Sequence, residues 1–346
     1  MREVLKYALG IVLAVVLLAF CLRGVDRRAL GEALRSASIT GVVLAAVVNL
    51  AHNVFRTWRW RILLAPVRPH VGFRPMFVAI IVGYLTTWVL PGRLGELVRP
   101  ALISAREKIP IGPCLGSVVT DRVLDGAGIL MLFAVGTWVT PIHGAMAGTL
   151  RKFALVMLAA CVVVVVGAVL AGRFRGTLER WFGRRRGIMG WIGRSILSVA
   201  SGTEALGAPR LLAAALAHSL LAWLTIAAGT WIGVRAAGAE IPFSAILVMM
   251  PILAFGIAVP TPGGAGGYHL LMKEGLTRLF GVSVASSIAA GILMWLAIVV
   301  PVIVLGTLFL KTERISWHDM VAAARGLKHL GAETAPSVRD AGEVPP

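Results

Sequence analysis

The sequence predicts an all-α polytopic membrane protein with six full spans and two re-entrant hairpins of broken helices, about eight membrane segments in all. Hydrophobic residues make up 58% of the 346-residue chain and charged residues only 14%, whereas a soluble domain is about a quarter charged. Residues 153–171 hold no polar side chain, and residues 282–310 hold no charge. A helix of about 20 such residues crosses a ~30 Å hydrocarbon core.

Full spans are predicted at about 6–22, 41–63, 112–139, 151–172, 209–235 and 283–310, and they are helical because lipid offers the backbone no hydrogen-bond partner. Two other apolar regions are interrupted by helix breakers. Region 75–107 contains Pro91 and Gly92, and region 243–281 contains Pro260, Pro262 and several glycines. Such breaks are tolerated at membrane depth only where protein or a water-filled cavity surrounds them. Both regions are therefore predicted to be re-entrant hairpins.

The distribution of basic residues predicts the orientation. Arginines and lysines collect in 56–74, 173–194 and 311–339, while 140–150 and 236–242 contain neither. By the positive-inside rule, both termini lie in the cytoplasm, and the protein belongs to the cytoplasmic membrane of a bacterium or archaeon. Segment 23–40 is the exception, since it is basic although it is placed outside. Part of it, 26–37, is expected to form an amphipathic helix at the membrane surface.

One transmembrane domain is predicted over 1–315, followed by a cytoplasmic tail, 316–346, that is partly disordered. Units 41–139 and 209–310 each read span, hairpin, span, and they cross the membrane in opposite directions. This is the inverted-repeat plan of many secondary transporters, which bind substrate at the broken helices near the midplane.

The formal net charge of +18 is assigned to loops that face anionic lipid, because no soluble domain is present to bind nucleic acid. The three cysteines are isolated in apolar segments and form no metal-binding or disulfide pattern. We expect no cofactor and no metal. A membrane lipid is the expected partner, and the sequence is compatible with a homo-oligomer.

Two charged clusters mark candidate binding sites. Glu96 begins the half-helix after the first break, and Arg93 and Arg99 flank it. A helix N-terminus favours an anion, either Glu96 itself or a substrate phosphate. The alternative is that Glu96 only caps its helix and pairs with Arg99.

The second cluster is Asp121, Arg122 and Asp125, with the two aspartates on one helix face. For a helix starting near Ile111, Asp121 lies about 15 Å into the membrane, where an unpaired charge costs several kcal/mol. These groups bind substrate, or Arg122 forms a structural ion pair with Asp125 or Glu96.

The second span carries a polar stripe at helical spacing. It consists of Asn49, His52, Asn53 and Arg56. Lipid would not accept these side chains, so they face the interior, where they form interhelical hydrogen bonds or line a cavity. Trp58 and Trp60, beside Arg59 and Arg61, are instead predicted to form an aromatic belt at the membrane surface.

The second break is rich in glycine, which permits positive φ and close approach to a ligand. Gly263, Gly264, Gly266 and the adjoining His269 are candidate substrate contacts, the alternative being a plain turn. The loop fits neither a nucleotide-binding P-loop nor a dinucleotide fingerprint.

With these motifs, the chain resembles the transmembrane domain of lysylphosphatidylglycerol synthases, a flippase-like family of membrane proteins. The features that carry the resemblance are the Arg56–Trp60 segment, Pro91–Arg99, Asp121-Arg122 with Asp125, and the loop of Pro262–Gly266. The resemblance covers about 5–315. It implies lipid translocation without synthase activity, since only about 36 hydrophilic residues follow Leu310. Two departures are Asp121 and His269, where the family often has glutamate.

The leading hypothesis is a transporter or flippase for an anionic or phosphate-bearing lipid, and not an enzyme. In it, Arg93, Arg99 and Arg122 contact the head group, and no ATPase motif is present, so transport is passive or ion-coupled. One alternative is a membrane transferase acting on a polyprenyl-phosphate or glycolipid carrier. Another is a membrane scaffold that transports nothing.

Overall fold

The structure is a computed structural model that describes residues 2–89, 94–141, 145–174, 176–177, 180, 208–259 and 261–316. Over these residues it is all-helical. The α-helices are α1 (Arg2–Leu22), α2 (Arg27–Ser36), α3 (Ile39–Leu64), α4 (Phe73–Val89), α5 (Gly95–Glu107), α6 (Ile111–Val139), α7 (Ala145–Arg173), α8 (Pro209–Ala236), α9 (Phe243–Ala258), α10 (Gly267–Phe280) and α11 (Val284–Thr312).

Four of the described helices are long and apolar enough to cross a membrane. They are Ile39–Leu64, Gly148–Gly167, Pro209–Ala236 and Val284–Thr312. Helix α1 qualifies only together with α2, and the two are bent by 96°. Helix α6 has 29 residues and carries Asp121, Arg122 and Asp125 in its middle. These elements make the chain a multi-pass α-helical membrane protein.

Helix α2 forms within the segment 26–37 that is expected to be helical, and its place at the membrane surface stays a prediction. Asp26 caps it by accepting a hydrogen bond of 2.8 Å from the Arg28 backbone N–H, and none of its residues is buried. Gly24, with φ of 73°, provides the turn from α1 into α2.

Each interrupted region forms two helices that pack against each other, α4 with α5 and α9 with α10. A glycine pair closes each hairpin. A Cβ on Gly95 would lie 1.8 Å from the Gly83 carbonyl oxygen, and one on Gly267 would lie 2.5 Å from that of Gly256. Only glycine allows these backbones to come so close. Residues 90–93 and Pro260, which contain the predicted breaking residues Pro91, Gly92 and Pro260, lie outside the described residues.

Helices α3 and α8 lie antiparallel along most of their length. The contacts run from the Ser38 N–H, which donates to the Ala236 carbonyl at 2.9 Å, to Arg59, which donates to Ser219 at 2.8 Å. Small residues keep the backbones close, since a Cβ on Gly229 would lie 2.2 Å from the Asn49 amide nitrogen. Small interfacial residues are typical of helix pairs in membranes.

The remaining helices enclose this central pair. Helix α3 also packs against α4, α6 and α11, and helix α8 against α6, α9 and α11. Helix α4 reaches α11, and helix α6 reaches α9. Helices α1 and α7 are peripheral: α1 packs on α10 and the loop before it, and α7 packs on α6.

Candidate functional site

The charged site forms where α3 meets α6. Arg56 and Arg59 are three residues apart on α3, and Asp121 and Asp125 are four residues apart on α6, so each pair shares one helix face. The packing of α3 on α6 brings the two faces together. All four side chains are buried, Arg59 and Asp121 fully so. Charges this far from solvent persist only when they are paired.

The four side chains are closely paired. One Arg59 Nη lies 2.6 Å from an Asp121 oxygen and 2.7 Å from an Asp125 oxygen, and the Arg59 Nε also donates to Asp121 at 2.8 Å. Arg56 lies 2.6 Å from Asp125 and 3.3 Å from Asp121. Each arginine therefore bridges both aspartates, which is the arrangement that compensates best for lost hydration.

Helix α5 contributes Glu96 and Arg99, and α6 contributes a further arginine, Arg122. Arg99, which is buried, donates to Asp121 at 3.0 Å. Arg122 lies 3.2 Å from Asp125 and 3.3 Å from Glu96. We call the seven side chains the arginine–carboxylate cluster: Arg56, Arg59, Glu96, Arg99, Asp121, Arg122 and Asp125. Among the described residues it joins four guanidinium groups to three carboxylates and carries one excess positive charge.

Neutral side chains hold the cluster from behind. Ser219 of α8 accepts from Arg59 at 2.8 Å and donates to the Leu124 carbonyl at 2.7 Å. The Trp60 indole donates to Ser117 at 2.9 Å, and the Arg99 guanidinium lies 4.8 Å from the centre of the Trp60 ring. Such contacts fix the orientation of the charged groups.

A cavity of about 360 Å³ opens beside the cluster. Arg56, Glu96, Arg122 and Asp125 line one part of it. More than a third of the Arg122 and Glu96 side chains is exposed. The rest of the wall is mainly apolar and aromatic and comes from α3, α4, α6 and α8 to α11. It includes Ile129, Trp223, Leu253, Ile257, Ile298 and Val302. The cavity is thus amphipathic and suits an amphiphile.

Most of the predicted charged residues come together at this cavity. Glu96, Arg99, Asp121, Arg122 and Asp125 all belong to the cluster. Both pairings expected for Arg122 are present, with Asp125 and with Glu96. In the cluster, Arg99 instead pairs with Asp121.

Of the two predicted residues near the first break and on the second span, Asn53 is described by the structure and does not line the cavity. Arg93 lies outside the described residues. Asn53 is fully buried, and its amide donates to the Leu50 carbonyl at 3.0 Å, so it serves its own helix.

The glycines of the second break are not part of the cluster. Gly263, Gly264 and Gly266 adopt positive φ of 61°, 63° and 84°, as the glycine pattern predicts. The Trp295 indole donates to the Gly263 carbonyl at 2.8 Å. None of the three glycines lines the cavity, and their role as substrate contacts stays a prediction.

His269 has a local structural contact. Its Nδ1 accepts a hydrogen bond of 3.3 Å from the Gly266 N–H at the start of α10. Its ring lies 5.8 Å from that of Trp295. The contact caps the helix, and substrate binding by His269 stays a prediction.

The aromatic belt predicted for Trp58 and Trp60 is wrong for Trp60. Trp60 is fully buried beside the cluster, as is its neighbour Arg59 within it, while Trp58 is 43% exposed and stacks with Arg61 at 4.5 Å. Helical spacing indicates the burial of these two residues. Arg59 and Trp60 follow Arg56 by three and four residues, so they share its helix face and continue the buried stripe.

The chain is similar in sequence to a known protein family and to two archaeal membrane proteins. The family model described as "Lysylphosphatidylglycerol synthase TM region" matches residues 7–325. A UPF0104 membrane protein of Methanothermobacter thermautotrophicus is 29% identical over 189 residues, 54% of this chain and 54% of the relative. Another, from Methanocaldococcus jannaschii, is 29% identical over 102 residues, 28% of this chain and 30% of the relative.

The chain therefore spans about half and about a third of the lengths of these two curated relatives. The family match, in contrast, runs through every described helix from α3 to α11 and includes the whole arginine–carboxylate cluster. On that match, this chain belongs to the family of the lysylphosphatidylglycerol synthase transmembrane region.

Proposed function

We propose that the protein is a lipid transporter, or flippase, that moves an anionic or phosphate-bearing lipid across the cytoplasmic membrane. The observation that carries the proposal is the pairing of a cationic cluster with a mainly apolar cavity inside a helix bundle. Ionisable groups at membrane depth are costly and mark substrate pathways by default.

The accessible cations fit a phosphate. Arg122 and Arg56 both line the cavity, and Arg122 is the more exposed of the two. A guanidinium binds phosphate oxygens with two parallel hydrogen bonds. Asp125 and Glu96 hold Arg122 in place through its two Nη atoms, and its Nε has no hydrogen-bond partner among the described residues.

Transport, and not group transfer, is the activity we propose. Among the described residues that line the cavity, the acidic ones are Glu96 and Asp125. Both contact Arg122, so both carboxylates are engaged in ion pairs within the cluster. This favours a binding role over acid–base catalysis.

For the architecture we propose six spans, two re-entrant hairpins, an inverted repeat and cytoplasmic termini. Helix packing supports the repeat. In the repeat, α3, α4, α5 and α6 correspond in order to α8, α9, α10 and α11. Each helix contact then has a counterpart: the contact of α3 with α11 corresponds to that of α8 with α6, and the contact of α4 with α11 to that of α9 with α6. The contact of α3 with α8 is its own counterpart. The antiparallel α3 and α8 have the relation that an inverted repeat requires.

The hairpins support the same proposal. Their glycine pairs correspond, since Gly256 and Gly267 follow Gly83 and Gly95 by 173 and 172 residues. The hairpin ends also meet: a Cβ on Gly263 would lie 3.8 Å from the Trp88 carbonyl oxygen. Two hairpins that enter from opposite sides would meet in this way near the midplane.

The test is lipid translocation in vesicles. Wild-type protein is reconstituted with a trace of phosphatidylglycerol carrying a fluorophore on one acyl chain, and dithionite bleaches the outer leaflet. We expect the fluorescence of the inner-leaflet probe to be lost faster in vesicles with wild-type protein than in protein-free vesicles, because the protein brings this probe to the outer leaflet. Arg122→Gln should slow this by about tenfold or more, as expected for losing a charged hydrogen bond.

The matched control is Arg278→Gln. Arg278 also pairs with a carboxylate on its own helix, Glu274 at 2.5 Å, but its side chain is 78% exposed and does not line the cavity. This variant should translocate like wild type. If vesicles with wild-type protein lose inner-leaflet fluorescence at the rate of protein-free vesicles, with and without a proton gradient, the proposed function is wrong.

A further inference from the structure

The cavity also indicates which head group it accepts. Building on the proposed function, we infer that the lipid is a phosphodiester whose head group is an uncharged polyol or sugar. Head groups that carry an ammonium group are excluded by the same cavity. The inference rests on the charge balance of the cluster, on unpartnered neutral polar atoms in the cavity wall, and on the size of the cavity.

The charge balance favours one negative charge. Four guanidinium groups face three carboxylates among the described residues. A phosphodiester brings a single charge, whereas a phosphate monoester brings about 1.5 to 2 near neutral pH. Binding a phosphodiester therefore leaves the cluster neutral.

An ammonium group finds no place in the same cavity. It would need a carboxylate, and the acidic groups on the described cavity wall are Glu96 and Asp125. Arg122 contacts both, and Asp125 is also bound by Arg56 and Arg59. A head-group ammonium would have to displace a guanidinium and would then lie beside it.

Neutral polar atoms supply the complementary chemistry. The Tyr84 hydroxyl, the Tyr268 hydroxyl and the Trp223 indole N–H are buried and have no hydrogen-bond partner among the described residues, and all three side chains line the cavity. Buried polar groups in proteins are nearly always partnered. Hydroxyl groups of a ligand both donate and accept, so they can satisfy all three.

The position of Tyr84 joins the two parts of the site. Its ring lies 5.4 Å from the Arg56 guanidinium and 6.2 Å from the His52 ring. A phosphate at Arg56 and Arg122 would therefore place the next atoms of the head group beside Tyr84. Trp88 and Trp223 add aromatic faces to the wall, against which the C–H groups of a polyol pack.

The cavity volume agrees with a head group. At about 30 Å³ per water molecule, 360 Å³ holds about a dozen waters. This is at the lower end of the range for small-ligand pockets. Acyl chains that reach about 15 Å into a leaflet must then remain in the bilayer while the head group crosses.

The experiment is a comparison of head groups in one assay. Wild-type vesicles receive acyl-labelled probes with identical chains: phosphatidylglycerol, phosphatidylinositol, phosphatidylethanolamine, phosphatidic acid and lysyl-phosphatidylglycerol. We expect the glycerol and inositol lipids to cross at least tenfold faster than the two ammonium-bearing lipids. Phosphatidic acid tests the preference for a single charge, and it should be slower than phosphatidylglycerol.

Two isosteric variants test the neutral contacts. Tyr84→Phe and Tyr268→Phe each remove one hydroxyl and little volume, and each should reduce the preference for the glycerol head group by about three- to tenfold, the effect of one neutral hydrogen bond. Thr225→Val, which removes a hydroxyl that donates to the Leu221 carbonyl of its own helix and does not line the cavity, should leave the preference unchanged.

The outcomes separate the two proposals. Equal acceleration of all five lipids would retain transport and overturn the head-group inference. Faster crossing of the ammonium-bearing lipids would also overturn it. No acceleration of any lipid would overturn the proposed function itself, and the inference with it.

Discussion

Neutralising Asp121 tests whether the arginine–carboxylate cluster is a buried ion network. Asp121 is fully buried and contacts Arg59 at 2.6 Å, Arg99 at 3.0 Å and Arg56 at 3.3 Å. Removing one partner of a buried ion pair costs about 3–5 kcal/mol. In Asp121→Asn three buried guanidinium groups lose their shared counter-charge, so we expect a loss of about 4 kcal/mol.

Thermal unfolding in detergent measures this loss. Cys21 and Cys114 are free and buried, so a thiol-reactive fluorophore reports unfolding directly. Such a loss is a large part of a total stability of about 5–15 kcal/mol and should lower Tm by roughly 5–10 °C.

The control for Asp121→Asn is Glu96→Gln. Glu96 is 36% exposed, and its pair with Arg122 is 3.3 Å long, so its loss should cost less than about 1 kcal/mol. Equal Tm values for the two variants would refute the view that the cluster is desolvated.

A second substitution checks the cause. Arg99 pairs with Asp121, while its Nε and second Nη have no partner among the described residues. Adding Arg99→Met to Asp121→Asn should recover more than about 1 kcal/mol, because it removes an unpaired buried charge. Additive losses would contradict the charge-balance explanation.

Two further predictions concern the packing around the cluster. Gly233→Val should prevent stable folding or lower the free energy of unfolding by more than about 3 kcal/mol, because a Cβ there would lie 1.9 Å from the Met294 sulfur. The control is Gly148→Val, since nothing lies within 4 Å of a Cβ at that position. The folded yield of the two variants is compared by size-exclusion chromatography. Trp60→Phe should cost about 1–3 kcal/mol in the same thermal assay, since it leaves the Ser117 hydroxyl without its 2.9 Å donor. An unchanged Tm would mean that this hydrogen bond contributes nothing.

The helical elements and much of the cluster could be predicted from the sequence, because local rules determine them. The breaks in the two apolar regions separate α4 from α5 and α9 from α10, as glycine and proline require. Burial of Asn49, Asn53 and Arg56 follows from their common helix face and from the cost of polar groups in lipid. Pairing of Asp121 with arginines follows from the same cost.

The partners themselves could not be predicted. Arg59 pairs with Asp121 across 62 residues of chain, and no local rule selects α3 over another basic segment as the partner of α6. The neighbouring Trp and Arg residues in the sequence predict a place for Trp60 in an aromatic belt, whereas the helix face on which Trp60 lies decides its burial. The two glycine-rich breaks look alike in sequence, yet Glu96 and Arg99 after the first break join the cluster, whereas Gly263, Gly264 and Gly266 do not line the cavity. The difference depends on how α5 packs on α6.

The close contact of α3 with α8 limits how the protein can move. A slide of one residue along the axis, about 1.5 Å, would drive the Asn49 side chain or Ala45 into the wall of the groove that Gly229 and Gly233 now provide. Interlocked helices of this kind have one register, not a range of positions. We therefore expect α3 and α8 to remain a fixed axis while access to the cavity alternates, and the hairpins α4–α5 and α9–α10 to supply the displacement.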